Sequence, residues 1–267
     1  MSTHGVPKQE IACMSAETKT QQIEALRQDG FVIVRGLVPP ATCAAMRERA
    51  QVQLAEGKAP HELEAQLQYP GAPASIDAPG GKTVRRLLDA YGREPAFADF
   101  ATSPDIAGWV TGYFGEQTLL SRAHHNCLMT KHPQYGSLTG WHRDARYWSF
   151  SRDDLVSVWL ALGDETASNG ALWLIPGSHQ RQFAPESFDD AKFFVPNNAE
   201  NASLITRAVC PTLAAGDVLF FHCNTLHSAG KNVTDAVKFS LVFTYHGISN
   251  PPVPGTRSTS KEEVSLI

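Results

Sequence analysis

The sequence has no long apolar run, no paired-cysteine motif and no excess of charge, and each lack removes a class of protein. No stretch approaches the roughly 18 apolar residues that a membrane-spanning helix needs. The first 19 residues are polar and lack the apolar centre of a secretory signal. The five cysteines, Cys13, Cys43, Cys127, Cys210 and Cys223, are odd in number, far apart and free of any Cys-x-x-Cys. This usage fits free thiols in a reducing compartment, so a cytoplasmic location is expected. With 23 Lys and Arg against 27 Asp and Glu the formal net charge is -4, and the basic residues are scattered. Neither nucleic acid nor a membrane is therefore expected as a partner. Gly-x-Ser-x-Gly, a phosphate-binding glycine loop and a dinucleotide fingerprint are all missing, which leaves the common hydrolase and nucleotide chemistries without support.

What is present is a chain of 267 residues, 42% hydrophobic and 19% charged, enough for one domain with a substantial core. Residues 1–17 read as a tail. Residues 18–28 have helical spacing and stop at Asp29-Gly30. Residues 31–34 are a β-branched strand, and Pro39-Pro40 opens a second helix over 41–56. Residues 97–114 read as helical, with a new start at Pro104. From residue 118 the pattern turns to strands, at 118–131, 141–150, 157–162, 170–175, 218–222 and 238–245. Many short strands with turns between them argue a sandwich or barrel. Trp159 and Trp173 fall in continuous apolar runs and are expected in the core. Residues 71–81, dense in Pro and Gly, and 180–207, which carry Phe183, Phe188, Phe193 and Phe194, are candidate loops over an active-site mouth. Residues 249–267 read as a loosely ordered tail, leaving 18–248 as the single domain.

Chemistry concentrates in residues 140–152, where His142 and Asp144 stand two apart among aromatics. On an extended strand, positions i and i+2 share a face, so the imidazole and the carboxylate can reach one point. A third donor is sought in 216–232. His222 ends an apolar strand there and His227 follows at a polar, glycine-bounded edge, and the residues alone do not choose between them. Two imidazoles and one carboxylate that leave coordination positions open form the facial set used by non-haem iron(II). Lys238 heads the next strand and can pair with an acidic co-substrate. By alternation His125 and Lys131 share a face of the strand leading to the pair. Trp148, four residues after Asp144, is placed to wall a substrate pocket.

Several stretches together resemble the phytanoyl-CoA dioxygenase family. They are residues 27–38 with Asp29-Gly30-Phe31, Trp141-His142-Arg143-Asp144, Asn169-Gly170-Ala171-Leu172 running to Pro176-Gly177-Ser178-His179, and Gly216-Asp217 with His227 and Asn232. The resemblance spans residues from about 20 to 247. It implies a mainly β fold, a double-stranded β-helix or jelly roll with flanking N-terminal helices, working with Fe(II), 2-oxoglutarate and O2. His142, Asp144 and His227 fall on the iron ligands, and His222 drops to a strand-end role. The family's 2-oxoglutarate-clamping arginine falls on Lys238, a point charge in place of a fork. Lys131 and His125 are the other expected co-substrate contacts, with Arg122 and Arg146 as alternative clamps. The expected activity is hydroxylation of a small organic molecule, with 2-oxoglutarate converted to succinate and CO2. A metal-binding jelly roll without turnover and a jelly-roll enzyme using another divalent metal are the alternatives.

Overall fold

The computed structural model describes residues 15–266. Helix α1 (Ser15–Asp29) runs into strand β1 (Phe31–Val34), then α2 (Pro40–Ala55), β2 (His61–Leu63), α3 (Glu64–Leu67) and β3 (Val84–Leu88). Helices α4 (Ala90–Arg93), α5 (Pro95–Ala101) and α6 (Pro104–Phe114) follow. The remainder is mostly strand: β4 (Thr118–Lys131), β5 (Thr139–His142), β6 (Val156–Ala161) and β7 (Leu172–Leu174), then, after α7 (Ala199–Ile205), β8 (Val218–His222), β9 (His227–Ala229), β10 (Lys238–Gly247) and β11 (Val264–Ser265). The helix starts are set by chemistry that the sequence displays. Proline occupies the first turn of α2, α5 and α6, and the Ser103 side chain caps α6 by accepting from the Ile106 N–H.

Two antiparallel sheets face each other. The larger has the order β1-β8-β6-β10-β4-β3-β2, with β11 added on β4, and the smaller is β5-β9-β7. Strand alternation separates two cores. Val156, Val158 and Leu160 of β6 pack with Val218, Phe220, Leu241 and Phe243 against helix residues Leu26, Phe97, Phe100, Ile106 and Trp109. Trp159 and Ala161 point the other way and join Leu219, Phe221, Val242 and Cys127 beneath Leu172 and Leu174 of the smaller sheet. Each fully buried large side chain contributes about 1.5–3 kcal/mol. The helices thus seal one face of the larger sheet, and the space between the sheets is left for the site. The expected mainly β jelly roll with N-terminal helices is the fold observed. No helix among the described residues is long and apolar enough to cross a membrane.

Several local expectations are corrected. The strand read at 141–150 is the short β5 followed by a 3-10 turn, Asp144–Tyr147. Residues 180–207 form a structured insert, with a Phe188–Phe194 bridge, helix α7, and Phe183, Phe188 and Phe194 packed edge-on around Ile175 and Leu226. Trp173 is 36% exposed, because it takes the outward position of a three-residue strand whose neighbours Leu172 and Leu174 point in. Strands β2 and β3 were not expected, since Arg85 and Arg86 interrupt the apolar pattern of β3. The proposed 1–17 tail lies almost wholly outside the described residues.

The 249–267 stretch, expected as a loose tail, is packed as far as Leu266. Ser258 and Leu266 are 1% and 5% exposed, and Val264 and Ser265 pair with Leu120 and Leu119. Glu263 reaches the buried His246 at 2.7 Å, and the Gln117 side chain donates to the Ser265 hydroxyl at 2.8 Å. Its anchors are a short strand pairing, one buried leucine and a few polar contacts to residues far away in sequence, which composition cannot reveal. If the segment belongs to the fold, Leu266→Ala should lower stability by about 2 kcal/mol in urea unfolding, the low end for a buried Leu→Ala. An undocked tail would give no change.

Candidate active site

A cavity of about 340 Å³ opens between the sheets. His142, Asp144 and His227 meet on its wall, each buried, with one candidate ligand atom from each within 4.8 Å of the others. His142 ends β5 and His227 begins β9, and the two are register partners in the smaller sheet. The residue between His142 and Asp144 is extended (Arg143, φ -109°, ψ 139°), so the two-residue offset still turns both side chains to one side although the strand has ended. The Nε2 atoms of His142 and His227 lie 3.7 and 3.6 Å from the same Asp144 oxygen, Oδ1.

Backbone carbonyls set both rings. His142 Nδ1 donates to the Gly140 carbonyl at 2.8 Å and His227 Nδ1 donates to the Thr225 carbonyl at 2.9 Å. A carbonyl only accepts, so each neutral ring carries its proton on Nδ1 and turns the Nε2 lone pair inward. Burial pushes the His142 pKa well below the ordinary value, and the neighbouring His227 adds to the shift, which keeps that lone pair free. On the other side Asp144 Oδ2 faces His125 Nδ1 at 3.4 Å and the Ser157 hydroxyl at 3.5 Å. Two imidazole nitrogens and one carboxylate oxygen at this spacing suit a first-row divalent metal, with orienting partners already in place behind them.

His222 is elsewhere. It ends β8, its Nδ1 accepts from the Asn224 N–H at 3.1 Å, and its Nε2 faces Asp154 at 3.7 Å. The recurring sequence stretches hold the His227 turn. Thr225 donates its hydroxyl to the Gly30 carbonyl at 2.7 Å, and the Ser178 hydroxyl accepts from the Leu226 N–H at 2.8 Å. Gly30 sits at φ +82°, and a Cβ there would lie 2.5 Å from His179 and 2.6 Å from Thr225, so only glycine fits under this turn. Asn232 donates to the Lys131 carbonyl at 2.8 Å and pins the end of β4.

His125, Lys131, Trp148 and Lys238 all line the cavity. His124 lines it too, which alternation forbids. The β4–β10 register passes from Asn126↔Phe243 to Ser121↔Thr244, so residues 122–125 bulge from the ladder and both histidines turn inward. Their rings pack on Trp148, with centroids at 5.1 and 5.3 Å. Burial, followed by the His125 and Arg257 charges, pushes the His124 pKa down to about 3. Burial likewise raises the Cys127 thiol to about 11, so this cavity-lining residue is a neutral wall.

At the opposite end, Lys131 and Lys238 are register partners on β4 and β10. Lys238 was expected to need an anionic partner, and the chain supplies one. Its Nζ lies 3.1 Å from Glu165 Oε2 and 2.9 Å from the Ser240 hydroxyl, with Glu165 wholly buried. Glu165 Oε1 accepts from Trp159 Nε1 at 3.0 Å and from Ser240 at 2.6 Å. Among the described residues Lys131 has no such partner. Its Nζ donates to the Ser137 carbonyl at 2.6 Å, and burial, with help from Arg85 and Lys238 against Glu64, lowers its pKa to about 7. Arg122 is set aside on β4, paired with Asp89 at 3.4 Å. Glu165, Glu62, Tyr69, Arg85, Arg86 and Arg257 were not singled out from the sequence. Only Glu165 had a signal, in the cost of leaving Lys238 buried without an anion.

The family model described as phytanoyl-CoA dioxygenase matches residues 26–240. Among curated relatives, an ectoine dioxygenase of Sphingopyxis alaskensis is 24% identical over 257 residues, covering 88% of this chain and 78% of its own. The peroxisomal phytanoyl-CoA dioxygenase of Homo sapiens is 24% identical, covering 83% of this chain and 66% of its own. Among solved structures, ectoine dioxygenase EctD from S. alaskensis with 2-oxoglutarate and 5-hydroxyectoine superposes with a TM-score of 0.73 at 23% identity, over 95% of this chain and 86% of that one. The epimerase SnoN, in complex with Fe3+, α-ketoglutarate and nogalamycin RO, gives 0.72 at 22% identity over 94% of both chains. With its fold, its converging donor set and four-fifths of its length matched by the family model, this chain belongs to the phytanoyl-CoA dioxygenase family.

Proposed function

We propose that this protein is an Fe(II)- and 2-oxoglutarate-dependent dioxygenase that hydroxylates a small organic molecule. The observation that carries the reading is the meeting of His142 Nε2, His227 Nε2 and Asp144 Oδ1 on the wall of a small-molecule-sized cavity. The donor set fits iron. Asp144 is 4% exposed, and among the described residues no lysine or arginine lies within ion-pair distance of it, so its buried charge calls for a cation. His142, Asp144 and His227 would hold Fe(II), and with 2-oxoglutarate and O2 the bound metal would supply the chemistry for hydroxylating a substrate C–H bond, 2-oxoglutarate leaving as succinate and CO2.

The chain's own part is placement and exclusion. His142 and His227 are fixed by their Nδ1–H bonds, and Asp144 is turned by Ser157 and His125. Phe221, Leu172 and Cys127 give the cavity a dry wall on one side, and Trp148 bounds the other. The far carboxylate of the co-substrate goes to Lys131, with Lys238 held beside it by Glu165. The outcome of oxidation is not inherited with the fold, since SnoN is an epimerase.

His142→Ala, Asp144→Ala and His227→Ala should each abolish stoichiometric iron binding with the circular dichroism spectrum unchanged. His222→Ala should keep the metal. Metal retained by His227→Ala and lost by His222→Ala would reverse the assignment.

Lys131 carries the second test. A charged contact to a carboxylate is worth about 1.5–3 kcal/mol, so Lys131→Met should weaken 2-oxoglutarate about ten- to a hundredfold in anaerobic titrations of the iron protein. The ammonium is the form that binds an anion. Its pKa of about 7 therefore makes affinity greatest below pH 7 and decreasing as pH rises through it, by about tenfold per unit. Lys131→Arg stays charged and should flatten that slope. Lys238→Met should instead lower stability by about 3 kcal/mol, because it leaves Glu165 buried and unpaired. A pH-independent affinity in the wild type would remove Lys131 from the clamp.

A further inference from the structure

The cavity's charge is out of keeping with the chain's. The protein carries a net charge of -4, yet Arg85, Arg86, Lys131, Arg146, Lys238 and Arg257 line the cavity against two carboxylates, Glu62 and Asp144. Three of the cations are neutralised from within. Arg86 is paired to Glu62 at 2.7 Å through two parallel bonds, Arg85 to Glu64 at 3.3 Å, and Lys238 to Glu165 at 3.1 Å. Asp144 belongs to the metal, and Lys131 to the co-substrate, on the function proposed above. Arg146 and Arg257 remain, and among the described residues neither has a carboxylate within ion-pair distance.

Arg146 is held by its own side-chain contacts, and Arg257 is placed by an anchored neighbour in the closing segment. Arg146 lies in the turn after Asp144, with its guanidinium over the Tyr147 and Phe193 rings at 4.5 and 4.1 Å. Its Nη donors reach the Ala191 and Lys192 carbonyls at 3.3 Å and the Tyr69 hydroxyl at 3.4 Å, all long, and its Nε is buried with no partner. Arg257 is exposed, but its neighbour Ser258 is buried and bonded to His124 Nε2 at 2.7 Å and to the Ser149 N–H at 2.9 Å. His124 in turn packs on Trp148. Arg146 and Arg257 line the same cavity as Trp148, Arg146 from the chain two residues before it and Arg257 from the closing segment.

We infer that the substrate is a small carboxylic acid, its carboxylate taken by Arg146 and Arg257 and its carbon skeleton lying on Trp148. Guanidinium forks match a carboxylate in geometry as well as sign. An aromatic face beside them gives the apolar part of the acid a surface to cover. A cationic mouth also gathers anions ahead of binding. The inference rests on the proposed function, because it assigns Lys131 and Asp144 to co-substrate and metal.

The test is calorimetric binding to the full chain carrying Mn(II) and 2-oxoglutarate under argon, so that no turnover occurs. Phenylacetate, 3-phenylpropanoate and cyclohexanecarboxylate are compared with their primary amides and with phenyl phosphate. At least one acid should bind about tenfold or more tightly than its amide. Arg146→Gln and Arg257→Gln should each weaken that acid about tenfold while leaving the amide, Mn(II) and 2-oxoglutarate affinities in place. Acids that bind no better than amides, variants that leave acid affinity unchanged, or variants that weaken 2-oxoglutarate instead would each overturn the proposal. So would preference for phenyl phosphate, which would make the ligand a phosphate ester. Failure of the wild-type protein to bind 2-oxoglutarate would count against the proposed function alone, since acid-over-amide selectivity lost in the arginine variants would still uphold an acid site.

Discussion

The site depends on one buried carboxylate. Asp144 is almost sealed from water, faces two imidazole Nε2 atoms at 3.6 and 3.7 Å, and has no lysine or arginine partner among the described residues. An isolated buried carboxylate is unfavourable by several kcal/mol, and neutral imidazoles whose protons are committed elsewhere offer it no hydrogen bond. A divalent cation held between the three would resolve the conflict. It would also account for the Gly140 and Thr225 carbonyls on the far side of each ring, since ring orientation matters most where a lone pair must be aimed.

Several of the chain's turn residues serve that arrangement at a distance. Gly30, at the end of the first helix, has no side chain because Thr225 and His179 occupy the space, and Thr225 is the residue that orients His227. Ser178, in the Pro176-Gly177-Ser178-His179 turn, holds the backbone one residue before His227. Segments nearly 200 residues apart thus converge on the geometry of one imidazole. A substitution at Gly30 would act on the metal site without touching it.

The parts of the site legible from sequence are those with short-range or alternating signals. His142 and Asp144 sit two residues apart in extended backbone, so their shared direction is local geometry. Alternation also put His125 and Lys131 on the cavity side, although His125 gets there through the bulge. His227 could not be separated from His222 by any local rule, because both lie where an apolar strand meets polar turns. The difference is that His222 ends a strand of the larger sheet whereas His227 begins the middle strand of the smaller one, a property of the whole topology. His124 was hidden by the four-residue bulge at 122–125. Glu165 reaches Lys238 from a loop, and Arg86 and Arg257 line the cavity from β3 and the closing segment, none of which has a periodicity that points inward. The closing segment was misjudged on composition, because a few separate anchors at Ser258, Glu263 and Leu266 hold it.

Lys238, where the family resemblance leads one to expect an arginine, is intelligible together with Glu165 and Lys131. A guanidinium at position 238 would present a fork to an incoming carboxylate, whereas an ammonium presents one compact charge. In this chain that charge is met by Glu165, whose other oxygen is tied to Trp159 and Ser240. The pair is closed before any ligand arrives, so Lys238 alone leaves no net charge for an anion. Lys131, its register partner, restores it. With Arg85 balanced by Glu64, the pocket end is neutral when Lys131 is neutral and carries one positive charge when Lys131 is protonated. On the proposed function the co-substrate's far carboxylate is the one negative charge that completes it, so the clamp has moved one strand across the sheet while its charge arithmetic has been kept.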